Sequence, residues 1–192
     1  DDVTLIWCDD NYGYIRHFPT AEERARKGGN GIYYHVSYWG RPHDYLWLGT
    51  FSPYLLHQQM KLAYDRGIQK MWVLNVGDIK PAEYQIELFL DMAWNIDEVN
   101  EIGVTAHLKS WLGREFGSNC AEELLPAMEA HYQLSYIRKP EFMGNTREEE
   151  RDPKYKVIKD LPWSEEFINE RLSSYDRLSE TVEKVTFRIP AD

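Results

Sequence analysis

Two carboxylates, an amide, two phenols and a guanidinium fall within eight residues in Asp9-Asp10-Asn11-Tyr12-Gly13-Tyr14-Ile15-Arg16. Charged groups crowded together beside an apolar run lose hydration, so they need partners or work to do. A pair of carboxyls suits glycoside cleavage: one protonates the leaving oxygen while the other activates water or attacks carbon. The structural alternative, at about even weight, is an Asn-Tyr-Gly turn whose acids pair with Arg16. Two further clusters resemble the first. His35, Tyr38 and Trp39 run into Gly40-Arg41-Pro42-His43-Asp44-Tyr45. Asn75, Asp78 and Lys80 lie in Asn75-Val76-Gly77-Asp78-Ile79-Lys80-Pro81. Arg16, Arg41, His35, His43 and Lys80 offer cations for a negative group such as a sugar carboxylate.

Each cluster follows an apolar run. Val3–Asp9, Gly31–Trp39 and Lys70–Val76 read as strands, with Tyr45–Leu48 as a brief extension. On the second strand Ile32, Tyr34, Val36 and Tyr38 alternate with Tyr33, His35 and Ser37. Helices separate the runs. Thr20-Ala21-Glu22-Glu23 has capping-box spacing and Gly28-Gly29 stops the short helix that follows. Ser52-Pro53 starts another, with Leu56, Met60, Ala63 and Tyr64 as its apolar stripe and Gly67 at its end. Pro81 opens a third that is apolar almost all round. Strands alternating with helices imply parallel pairing, which puts all three polar clusters on one rim of the sheet.

Beyond Asn95 the pattern turns helical. Ile102 to Phe116 fits one helix and Ala121 to Ser135 a second, with Asn145–Lys159 as a charged connection. Ser164 caps a third, whose stripe is Ile168, Leu172, Tyr175, Leu178, Val182 and Val185. One weak strand-like run, Val185–Ile189, closes the chain. The expected class is α/β: about three βα units, as in the C-terminal part of a (β/α)8 TIM barrel, followed by an α-helical bundle segment. The expected division is a partial barrel over 1–97 and a helical segment over 98–192. Three βα units cannot close a barrel of eight strands, so the rest of the same polypeptide is an expected partner. The opening Asp1-Asp2, which enters a strand at once, fits an excised or mature piece.

Composition narrows the partners. A net charge of -10 with no long basic run disfavours nucleic acid and anionic membranes. No apolar stretch approaches the roughly 20 residues of a membrane span. Cys8 and Cys120 read as free thiols, Cys8 buried in its strand. His35 and His43 do not share a strand or helix face, so no metal is expected. Gly28-Gly29-Asn30-Gly31 precedes a strand, whereas phosphate loops follow one, so no nucleotide cofactor is expected. His107 and His131 read as packing or surface residues, and Trp72, Trp94 and Trp111 as core. Trp39 and Tyr45, near the rim, divide evenly between packing and sugar contact.

The ordered blocks resemble glycoside hydrolase family 115, the xylan α-1,2-glucuronidases. The blocks are Asp9 to Arg16, Glu23-Arg24 with Gly28-Gly29, Tyr33-Tyr34-His35-Val36-Ser37-Tyr38, Gln59-Met60 with Ala63-Tyr64, and Asn75 to Pro81. A looser likeness continues through Phe116-Gly117 and Arg138-Lys139-Pro140-Glu141. The resemblance implies a barrel followed by a helical domain, and inverting removal of glucuronic or 4-O-methylglucuronic acid from an acidic glycan such as glucuronoxylan. It implies no cofactor, an extracytoplasmic location, and allows a homodimer. By the same resemblance Asp9, its neighbour Asp10 and Asn75 are the catalytic candidates. Asn11, Tyr12, Arg16, His35, Tyr38, Trp39, Asp78 and Lys80 are the substrate-binding candidates. The partner carboxyl falls outside this chain, which is expected to be inactive alone. Two other readings remain open: a non-catalytic carbohydrate-binding module using the aromatic rim, and a structural piece whose polar groups satisfy one another.

Overall fold

The computed structural model describes residues 1–40, 43–143 and 161–189. Three strands, β1 (Leu5–Cys8), β2 (Asn30–His35) and β3 (Met71–Asn75), pair in parallel in the order β1-β2-β3. Between and after them come α1 (Ala21–Arg24), α2 (Pro53–Asp65), a 3-10 turn at Lys80–Ala82 and α3 (Glu83–Trp94). Then follow α4 (Ile96–Phe116), α5 (Ser118–Ile137), a 3-10 turn at Pro140–Phe142 and α6 (Glu165–Thr186). The expected connection Asn145–Lys159 and the candidate Arg41 lie outside the described residues.

Local chemistry starts the helices where the sequence places them. Thr20 accepts from the Glu23 amide at 3.3 Å, and the Glu23 carboxylate accepts from the Thr20 amide at 2.8 Å, closing the capping box of α1. Ser52 caps α2 ahead of Pro53, and Gly67, at φ 88°, follows its end. Ser164 caps α6 through the Phe167 amide at 3.1 Å. The second strand is shorter than expected, and Tyr45–Leu48 contributes only one antiparallel bridge, Tyr38 with Tyr45.

Two compact units emerge, Asp1–Gly40 with Asp44–Val104, and the described residues from Thr105 onward with His43. Their division falls beside Gly103, which leaves helical geometry inside α4 at φ 76°. In the first unit Ile32, Tyr34 and Val36 are buried, as are Leu56, Met60, Leu88, Phe89 and Met92 on the helices, and the Tyr34 ring stacks on Phe89. The opposite face is set by the register. Ile6, Gly31 and Met71 align, then Cys8, Tyr33 and Val73, then His35 and Asn75. This face is open: Ile6, Cys8, Tyr33 and Met71 are all exposed. The expectation of a buried Cys8 thiol therefore fails. The cysteine shares the sheet face of the exposed Ile6, Tyr33 and Met71. Trp94, expected in the core, is 92 % exposed as the last residue of α3.

In the second unit α5 packs against α6. The expected apolar stripe of α6 is buried only in part. Val185 is buried and Tyr175 and Leu178 are half-buried, but Ile168, Leu172 and Val182 are exposed, while Arg171, outside the stripe, is buried. The reason is electrostatic. The carbonyls at the end of α5 carry the negative end of its dipole, and Leu134 O, which takes the Arg138 amide at 3.2 Å, has a second lone pair to offer. The Arg171 guanidinium donates to Leu134 O at 2.9 Å and to Arg138 O at 2.7 Å, and lies over the Trp163 and Tyr175 rings. The strand-like run Val185–Ile189 is not a strand. Helix α6 continues through Thr186, and turn hydrogen bonds from Arg188 to Val185 and from Ile189 to Thr186 carry its end. Cys120 is buried and both thiols are free.

Candidate functional site

The carboxyl ends of the three strands lie on one rim, and the polar clusters meet there. Asp9 follows β1 and its side chain is wholly buried. One oxygen lies 2.5 Å from His35 Nδ1 and the other accepts from the Gly13 amide at 3.0 Å. The Asp9 contact fixes His35 with Nδ1 toward the carboxylate, leaving Nε2 for another partner. No partner for that nitrogen is found among the described residues. The imidazole is held edge-on between Tyr33, centroids 5.0 Å apart, and Tyr38, 5.3 Å apart. Asn75, the register partner of His35, donates its side-chain amide to the Tyr33 hydroxyl.

The loop from Asp9 to Arg16 is tied at many of its backbone groups. Asp10 Oδ1 accepts from the Tyr12 amide at 3.0 Å and the Tyr14 amide at 3.1 Å, an Asx-type turn. Its other oxygen takes Arg16 Nε and Nη2, each at 2.7 Å, and Arg16 also lies over the Tyr14 ring. Asn11 sits in the left-handed region at φ 68°, a conformation few non-glycine residues adopt. The Tyr45 hydroxyl donates to Asn11 O and the Tyr34 hydroxyl to Gly13 O, both at 2.7 Å. Gln59, on α2, accepts from the Ile15 amide at 2.9 Å. Gly13, at φ 91°, leaves no room for a side chain, since a Cβ would stand 2.4 Å from the Phe51 ring.

Burial and the nearby acids set the phenols. Desolvation, then Asp9, raises the pKa of Tyr34 and Tyr45 well above the usual value. Desolvation, then Asp10 and Tyr38, raises that of Tyr12. These phenols stay protonated and able to donate at neutral pH.

The structure brings Asp9, His35, Tyr38 and Asn75 into one group, with Tyr12 and Asp10 electrostatically linked to it. Asp10 and Arg16 answer each other, as the turn alternative required. Asn11 contributes its carbonyl to Tyr45. Trp39 is largely exposed. Asp78 is exposed on the turn after β3, and Lys80, with an exposed side chain, pairs with Glu83 at 3.1 Å. Two participants were not singled out from sequence: Tyr33, which anchors Asn75, and Ser37, whose hydroxyl accepts from the Gly77 amide. The signal for Tyr33 was its alternation with His35, which puts both on one strand face.

Among the described residues no helix is long and apolar enough to cross a membrane. The family model for glycosyl hydrolase family 115 matches residues 1–142. No curated protein matches the chain. A solved structure described as a novel family 115 4-O-methyl-α-glucuronidase, with specificity for decorated arabinogalactans, is 75% identical with a TM-score of 0.94. The match covers 98% of this chain and 25% of that one, so the chain spans about a quarter of the length of that relative. On the matched model and this identity, the chain belongs to glycosyl hydrolase family 115.

Proposed function

We propose that the chain is the part of a longer α-glucuronidase-type hydrolase that carries much of its sugar-binding rim, and that the enzyme releases glucuronic or 4-O-methylglucuronic acid from a decorated glycan. The observation that carries this reading is the 75% identity to a structure named as a 4-O-methyl-α-glucuronidase. The rim geometry supplies fitting chemistry. The Asn75 amide and the Tyr33, Tyr38 and Tyr12 hydroxyls gather donors where a sugar carboxylate and hydroxyls need them, and His35 Nε2 adds an acceptor for a sugar hydroxyl or water. Asp9 acts through His35, holding its tautomer, and Asp10 holds the loop. Arg16 adds positive charge at the rim. Trp39, Asp78 and Lys80 would meet a substrate from its outer edge.

Inverting cleavage needs two carboxyls roughly 6.5–9.5 Å apart with water between them. Asp9 and Asp10 already serve His35, backbone amides and Arg16, so the acid that reaches the glycosidic oxygen belongs to strands outside this chain. The open sheet face and the two singly paired strands β1 and β3 support a barrel interior and barrel neighbours for 1–97, with 98–192 starting the helical domain. The chain alone is then inactive. An extracytoplasmic setting follows from the glycan substrate.

The test is uronic-acid release by the full-length protein from decorated arabinogalactan and from glucuronoxylan, wild type beside Asp9→Asn and Asp10→Asn. Release that collapses in Asp9→Asn while glycan binding persists supports the reading. No release from either polymer sinks it and favours a binding module.

A further inference from the structure

Two peptide units of the loop from Asp9 to Arg16 are held at both ends. In the unit joining Asn11 to Tyr12, the N–H donates to Asp10 Oδ1 at 3.0 Å and the carbonyl accepts from the Tyr45 hydroxyl at 2.7 Å. In the unit joining Gly13 to Tyr14, the N–H donates to the same Asp10 oxygen at 3.1 Å and the carbonyl accepts from the Tyr34 hydroxyl at 2.7 Å. Both phenols come from outside the loop and both are buried. Their rings meet Phe51, Tyr34 edge-on at 5.9 Å between centroids and Tyr45 stacked at 6.2 Å, and the Phe51 ring closes on Gly13. A peptide unit fixed at both its N–H and its C=O cannot flip without losing both hydrogen bonds. Asn11, within this clamp, keeps a left-handed φ of 68° that glycine adopts more readily. Strain retained at one residue of a site points to a use for its side chain.

We propose that Tyr34 and Tyr45 are positioning residues: with Asp10 they hold the backbone of Asn11 and Tyr12 in the one conformation that presents those two side chains to the sugar. This rests on the hydrolase reading above. Neither phenol touches the substrate; each acts through the loop. A phenol has one proton to donate, and here each gives it to a loop carbonyl, so neither hydroxyl donates to a ligand. A loop released from the clamp spends only part of its time in the competent conformation. Apparent affinity, and with it kcat/KM, falls with that fraction. A displacement of the loop on the ångström scale would itself cost turnover.

The experiment compares the full-length enzyme with Tyr34→Phe, Tyr45→Phe and Tyr84→Phe. Each variant loses one buried hydroxyl and keeps its ring. Tyr84 is the control, since its hydroxyl serves Val104 O on α4 rather than the loop. Hydrogen exchange is followed at the amides of Tyr12, Gly13 and Tyr14, beside kcat/KM for uronic-acid release from decorated arabinogalactan. In the wild type these amides should be protected. In each loop variant their exchange should rise about tenfold and kcat/KM should fall about tenfold. Tyr84→Phe should leave both within about twofold of wild type. Wild-type amides that exchange unprotected overturn the clamp before any variant is made. Unchanged exchange in both loop variants, raised exchange with unchanged kcat/KM, or equal effects in Tyr84→Phe also overturn it. A wild-type enzyme that keeps these amides protected and yet releases no uronic acid overturns the hydrolase reading instead.

Discussion

Asp9→Asn is nearly isosteric and yet cannot satisfy the site. The aspartate offers one oxygen to His35 Nδ1 at 2.5 Å and the other to the Gly13 amide at 3.0 Å. Asparagine has one acceptor for these two donors. If its oxygen faces His35, its amino group meets the Gly13 N–H, and two buried donors oppose each other, at about 1–3 kcal/mol. If its amino group faces His35, the imidazole must accept at Nδ1 and carry its proton on Nε2, the nitrogen turned to the substrate. The same exchange in a Ser-His-Asp triad lowers turnover about 10⁴-fold through the wrong tautomer, or roughly 5.4 kcal/mol. We expect a loss of about a hundredfold to ten-thousandfold in kcat for uronic-acid release. Glycan affinity should change by less than about fivefold, because the shape of the rim is kept. Nitrogen chemical shifts of the His35 ring supply an independent readout and should show the proton moved or the Nδ1 bond weakened. Turnover within about fivefold of wild type, with the ring unchanged, would refute the argument that Asp9 works through His35.

Other perturbations have equally definite outcomes. Gly13→Ala combines a positive φ with a Cβ only 2.4 Å from the Phe51 ring, and should destabilise the first unit by about 2–4 kcal/mol in urea unfolding of the full-length protein. Arg171→Met strips two carbonyls of a charged donor and should raise hydrogen exchange at the end of α5, with about 2–4 kcal/mol lost locally. Tyr33→Phe removes the partner of the Asn75 amide and should lower kcat/KM about tenfold with little change in melting temperature. Desolvation holds the Lys139 ammonium down at about 8, against 10.5 in an open chain. The unfolded state therefore binds the extra proton between these values, and stability should rise as pH climbs from about 8 to 10.5. Lys139→Met should flatten that rise in urea midpoints measured across the range.

Features set by neighbouring residues were the ones a linear reading could find. Thr20, Ser52 and Ser164 cap helices through groups three residues away, and the glycine after α2 marks its end. The parallel order followed from alternation, and with it the meeting of Asp9, His35 and Asn75 on one rim. What depended on distant packing was missed. A helical wheel placed Leu172 inward, whereas the carbonyls at the end of α5 drew in Arg171 instead. Cys8 read as buried because its strand is apolar, but periodicity does not say whether both faces of a sheet are covered. The different work of Asp9 and Asp10 was equally hidden, since it depends on which amides of the loop fold back onto each carboxylate.

The two thiols differ in access, since Cys120 is enclosed within the second unit and Cys8 is exposed on the sheet of the first. That arrangement is a native labelling pair. A thiol-specific dye should modify Cys8 quickly in the isolated chain and slowly once neighbouring strands close over Ile6, Tyr33 and Met71, with Cys120 as the internal reference. On the proposed barrel reading, the rate ratio would time closure during synthesis or refolding, with no engineered probe.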